Sequence, residues 1–194
     1  MNARRGISAI PMVVGLAVIA MLIGGIFYMQ RGDKIDLPGK IIKIRTALLD
    51  DGKCDGPRCQ DHSPMSVAVV DFKVTNPSDI IFEVRSVNVY VTTPDGKVLD
   101  GKITSDGDAE RMMKALPADP KRIDQWPSGE KYNKTLTVKE RIGAHQSVDR
   151  MAAAYFELPI DQLDARKNLR VRIEEVDGKV FEYWEHESPA GTRQ

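Results

Sequence analysis

Residues 67–100 read VAVVDFKVTNPSDIIFEVRSVNVYVTTPDGKVLD, and the period of this stretch decides the fold. Ala68, Val70, Phe72 and Val74 alternate with Val69, Asp71, Lys73 and Thr75, which gives an extended segment one apolar and one more polar face. Asn76-Pro77-Ser78-Asp79 ends it, because Asn, Ser and Asp side chains bond their own backbone and Pro fixes a turn dihedral. Phe82 and Val84 then occupy one parity and Val87, Val89 and Val91 the other. That change of phase near Ser86 predicts a bulge or a crossing between sheets. Pro94-Asp95-Gly96 turns the chain into Lys97–Ile103 as a hairpin.

Working outward, period two recurs. Lys40–Arg45 predicts a first strand, Leu136–Val138 and Met151–Leu158 later ones. Leu169, Val171 and Ile173 alternate with Arg170, Arg172 and Glu174, and Asp177-Gly178 turns that strand into Lys179–Trp184. Helical spacing intrudes twice. Ala109, Met112, Met113 and Leu116 follow a cap signal at Ser105 with Asp108, or Gly107 with Glu110, and a shorter helix fits Pro159–Arg166. Seven or eight short strands separated by turns predict a mainly β domain over 40–186, an antiparallel immunoglobulin-like β-sandwich with one or two short inserted helices. Residues 104–131 form a helix-and-loop insertion, and 187–194 form a polar tail.

Before the domain the chain is of another kind. No charged residue occurs from Gly6 to Gln30, and Arg4-Arg5 stand just ahead in a short basic tail, 1–6. As a helix, residues 7–29 are long enough to cross a hydrocarbon layer of about 30 Å. A cleavable secretory signal has a shorter apolar core, and here the apolar run continues through Ile26-Phe27-Tyr28, past the small-residue site at Val18-Ile19-Ala20. The expectation is a single-pass transmembrane helix with a linker at 30–39. Arg31, Lys34, Lys40, Lys43 and Arg45 follow the span and argue for a cytoplasmic domain, but long domains translocate largely regardless of charge. A short basic N-terminus before one span places the domain outside the cytoplasm, periplasmic or at the cell surface.

Charge excludes one class of partner. The 28 acidic residues and 26 of the 28 basic ones follow residue 30, intermixed, so that part carries no basic patch suited to nucleic acid. The two cysteines, Cys54 and Cys59 in CDGPRC, fit a small disulfide loop in an oxidising compartment, worth about 2 kcal/mol by chain entropy. Reduced thiols, or a metal held by Cys54, Cys59 and His62, are the alternatives; the second ligand pair of a structural zinc site is missing.

Catalytic patterns are sparse. There is no G-x-S-x-G elbow, and the histidines are His62, His145 and His186, with His145 in a turn-like stretch. Asp106-Gly107-Asp108 with Glu110 lacks the ligand spacing of an EF-hand, and helix capping accounts for it. No enzyme activity, cofactor or metal is expected. Among the aromatics, Trp126 stands in the insertion either folded back over the sandwich or as a contact residue for a partner or glycan, whereas Trp184 on a terminal strand is expected in the core.

VAVVDFKVTNPSDIIFEVRSVNVYVTTPDGKVLD, together with IGAHQSVDRMAAAYFELP and LRVRIEEVDGKVFEY, resembles the immunoglobulin-like domains of bacterial membrane-anchored envelope proteins and, more distantly, the LEA type 2 (WHy-like) domains. The resemblance covers roughly residues 65–185. It implies a binding or protective module and supplies no catalytic residues. The resulting expectation is a non-catalytic anchored module that binds a protein partner or supports envelope assembly. The alternative is a small-ligand or glycan carrier with the 104–131 insertion as one wall of its groove.

Overall fold

The computed structural model describes residues 36–53, 63–115 and 132–186, with Ile19, Met21 and Leu22 in helical conformation. The chain divides into two compact units, Met1–Ile35 and Asp36–Gln194. The expected span at 7–29 lies outside the described residues apart from those three. Among the described residues no helix is long and apolar enough to cross a membrane. Cys54, Cys59 and Trp126 also lie outside them.

The second unit is mainly β, as its alternation predicts. Its elements are β1 (Gly39–Asp50), β2 (Met65–Thr75), β3 (Phe82–Thr92), β4 (Val98–Ile103), α1 (Asp106–Ala115), β5 (Arg141–Ile142), β6 (Ser147–Phe156), α2 (Ile160–Asp164), β7 (Asn168–Glu175) and β8 (Val180–Trp184). The strands form one antiparallel sheet in the order β1-β2-β6-β4-β3-β7-β8, with β5 beside β3.

Strand β4 is the joint. Its first half pairs with β3, Val98–Gly101 against Thr92–Val89, and its last two residues pair with β6, Lys102 with Tyr155 and Ile103 with Ala154. Farther along, residues 134–142 fill the gap that β4 leaves. Leu136 donates its N–H to the Met151 carbonyl and Met151 to that of Lys134, while β5 pairs with Phe82 and Glu83 of β3. The expected strand at Leu136–Val138 is therefore only one bridge, Thr135 with Met151, and Val138-Lys139 is a turn in which Lys139 has φ 66°.

The sheet curls until its ends meet. Tyr183 of β8 stacks on Phe72 of β2 with ring centroids 6.4 Å apart, and its hydroxyl donates to the Leu37 carbonyl at 2.7 Å. The core inside the curl holds Val70, Phe72, Val74, Val84, Val89, Val91, Leu169, Val171 and Ile173, all fully buried. Gly101 lies there because a Cβ at that position would come within 2.5 Å of the Phe156 ring. Gly101→Val forces that ring or the strand aside, and overpacking of this kind costs about 1–3 kcal/mol. A lowered urea midpoint with an unchanged m value is the expected reading.

The other face of β2 differs from expectation. Its residues Ser66–Phe72 are all buried, not only the alternate ones. Ala109 of α1 packs with Ala47, Val67, Val69, Met151 and Ala153 on the outside of β1-β2-β6, with Met112 and Tyr132 against the same cluster. The inserted helix thus makes a second, smaller core on the back of the sheet. Its start is capped as the sequence predicts, the Asp108 N–H donating to Ser105 Oγ. The phase change near Ser86 is a bulge between Val84 and Ser86.

Candidate functional site

Two groups of functional side chains stand out, one buried and one open. The buried group lies on the back of β1-β2, beside Tyr132 and Asn133. Arg45 of β1 and Asp71 of β2, 3% and 4% exposed, form an ion pair on the outer face of the sheet. Asn133 Nδ2 donates to Asp71 Oδ1 at 3.2 Å, and the Tyr132 ring lies 5.5 Å from the Arg45 guanidinium carbon. A charge so deeply buried is tolerated only when paired and hydrogen-bonded. The segment that follows the insertion supplies both supporting groups. This cluster holds Tyr132 and Asn133 against the sheet, and its two charged side chains are buried.

The open group is on the outer face of β3-β7-β8. Tyr90, Arg170 and Trp184 are cross-strand neighbours in one row. The Arg170 guanidinium carbon lies 4.7 Å from the Tyr90 ring centroid and 5.0 Å from that of Trp184, so the planar cation is stacked between two aromatics. The next row places Asn88, Arg172 and Glu182 side by side. Arg170 also reaches Glu182 at 3.4 Å, and Arg85 pairs with Glu174 at 3.1 Å. All of these side chains except the exposed Arg85 are half-buried, as on a sheet face that no described helix covers. Helix α1 packs on the back of β1-β2-β6, and α2 lies against β1 and β2.

Sequence reasoning missed this row. Trp184 was expected in the core, but Phe181 and Tyr183 share the parity that faces inward, and Trp184 falls with Val180 and Glu182 on the outside. The signal was present as the alternation of Phe181 and Tyr183 with Glu182.

The remaining expectations are placed as follows. His145 Nε2 is 2.8 Å from Asp79 Oδ1 on the surface, the two side chains 65% and 94% exposed. The adjacent Ser78 hydroxyl donates to Asn76 Oδ1 at 2.6 Å, which orders the Asn-Pro turn. Asn76 itself is fully buried and donates through Nδ2 to the carbonyls of Ile80, Ile142 and Gly143. Among the described residues, no group of three or more His, Cys, Asp or Glu is placed to hold a metal.

One buried carboxyl lacks a partner. Glu175, 4% exposed, ends β7 on its inward face, and no hydrogen bond reaches its Oε2. Desolvation holds its pKa above the ordinary glutamate range, with Lys179 acting against the shift and Asp177 adding to it. A raised folded pKa means that the folded state binds the proton more tightly, so the contribution is complete at low pH. It is lost as pH rises from the ordinary range, near pH 4, through the folded value. Glu175→Gln keeps the shape without the charge. It is expected to raise Tm at pH 7, where the buried carboxylate is charged, and to change it little below about pH 4. A thermal melt series across pH reads this directly.

No family model matches the chain. No curated protein matches it. Among solved structures, it is similar to the crystal structure described as Northeast Structural Genomics Consortium target SoR45, at 8% identity over 78% of this chain and 80% of that one, with a TM-score of 0.29. A likeness of that size carries no argument about fold or function.

Proposed function

We propose that this chain is a non-catalytic binding module, anchored by residues 7–29, whose β domain lies outside the cytoplasm and docks a protein partner in an envelope assembly. In this reading the curled sheet is an immunoglobulin-like sandwich, with β1-β2-β6 and β4-β3-β7-β8 as its two layers. The observation that carries the proposal is the row Tyr90, Arg170 and Trp184 on a sheet face that no described helix covers. Aromatic residues and arginine are the side chains that dominate binding energy at protein interfaces, since they bury large rigid areas and keep a polar handle. The charge-free stretch Gly6–Gln30 supports the anchor.

In-cell crosslinking of the full chain through a C-terminal affinity tag, followed by mass spectrometry, tests the proposal. One abundant partner recovered from the membrane fraction is the expected result. Recovery of the chain alone, or from the soluble fraction, would contradict it.

A further inference from the structure

We infer that the β3-β7-β8 face recognises a carboxylate-bearing segment of its partner protein, with Arg172 as the group that reads the carboxylate; this rests on the binding-module reading above. Three guanidiniums stand on this face, and two are already engaged. Arg85 pairs with Glu174, which also accepts from Ser86 Oγ at 3.3 Å, and Arg170 pairs with Glu182 between its two aromatics. Arg172 lies between them in register, beside Asn88 and Glu182. Its guanidinium makes no hydrogen bond, ion pair or ring contact among the described residues. The center of the face therefore holds one cation with its donors unspent, next to a rigid aromatic row.

An arginine fork matches a carboxylate bidentately, and such charge-assisted pairs are the stronger hydrogen bonds. Trp184 and Tyr90 beside it would cover the apolar part of the same segment and exclude water from the pair. The chemistry fits a single carboxylate better than an anionic bilayer surface. Attraction to such a surface grows with the number of uncompensated Lys and Arg. Here Glu174 and Glu182 already offset Arg85 and Arg170, which leaves Arg172 as a single uncompensated cation.

The test uses the full chain in its own membrane, with a photo-crosslinking amino acid at Asn88 and, as a control, at the exposed Val138. The expected result is a protein adduct at Asn88 whose mapped peptide contains Asp or Glu, with a yield that falls about tenfold in Arg172→Glu, the size of one lost charge pair. Arg172→Met, which keeps the bulk and adds no repulsion, should fall in parallel while its thermal unfolding stays at the parent value. Adducts confined to Val138, a lipid adduct at Asn88, or a mapped peptide without a carboxylate would each overturn the carboxylate inference and leave the binding-module reading standing. An unchanged yield in both Arg172 variants would do the same. A chain that yields no adduct at either position and is recovered alone would overturn both.

Discussion

Asp71→Ala is expected to lower the stability of the β domain by about 3–5 kcal/mol, seen as a Tm decrease of about 6–20 °C. The loss comes less from the missing carboxylate than from what stays behind. Arg45 remains 3% exposed beside Tyr132, without the Asp71 carboxylate, and Asn133 Nδ2 loses its acceptor. A buried cation stripped of its partner costs more than the pair was worth. The same argument predicts recovery. When both charges are replaced by apolar groups, Arg45→Met with Asp71→Leu, the domain should return to within about 1 kcal/mol of the parent, because neither charge of this buried pair is left to desolvate. Urea unfolding of the single and double variants decides it. A double variant as unstable as the single would mean that the pair fixes the segment at Tyr132 and Asn133 by geometry rather than by compensating burial.

Phe72→Ala, one residue along the same strand, is expected to cost about 3–5 kcal/mol for a different reason. Asp71 faces the back of the sheet and Phe72 the inside of the curl. The Phe72 ring is fully buried and stacked on Tyr183, the contact that brings β8 against β2. Its removal leaves a cavity at the place where the sheet closes, and the neighbouring strands recover little of the lost contact. The expected signature is a lower urea midpoint together with weakened near-UV circular dichroism from Tyr183. A cost below about 1 kcal/mol would show that the sheet ends are held together elsewhere.

These two neighbours show what the sequence makes legible. The alternation at Ala68, Val70, Phe72 and Val74 identifies β2 and its inward face, because burial against a sheet has period two. It says nothing of the other face, where Asp71 and Lys73 look like ordinary solvated residues. Asp71 is buried because α1 and Tyr132, distant in sequence, pack on the back of β1-β2-β6. Turns were the clearest feature. Asn76-Pro77, Pro94-Asp95-Gly96 and Asp177-Gly178 all turn the chain where local chemistry demands, and the Ser86 phase change is a bulge. Residues 136–138 misled because three residues of mixed polarity read as a strand. Their bonds instead seal the gap between β6 and β3, a role that depends on where β4 stops.

The candidate site was legible only in part. Arg170 and Arg172 on the polar parity of β7 could be read from the sequence, and so could Tyr90 among Asn88 and Thr92. That Tyr90, Arg170 and Trp184 form one row depends on the register of three strands, which no local pattern states. A place on a terminal strand suggests the core for Trp184, but the hairpin at Asp177-Gly178 sets the parity of β8 and turns it outward.

The claim at the center of this account is that the row on β3-β7-β8 is a docking surface. The measurement that tests it most directly is quantitative capture of the crosslinked partner by the full chain and by Arg170→Ala and Trp184→Ala, each with its Tm recorded. Loss of at least about tenfold in capture, with Tm within about 3 °C of the parent, is the predicted result, since these side chains stand outside the core. Undiminished capture by both variants, folded as the parent is, would contradict it.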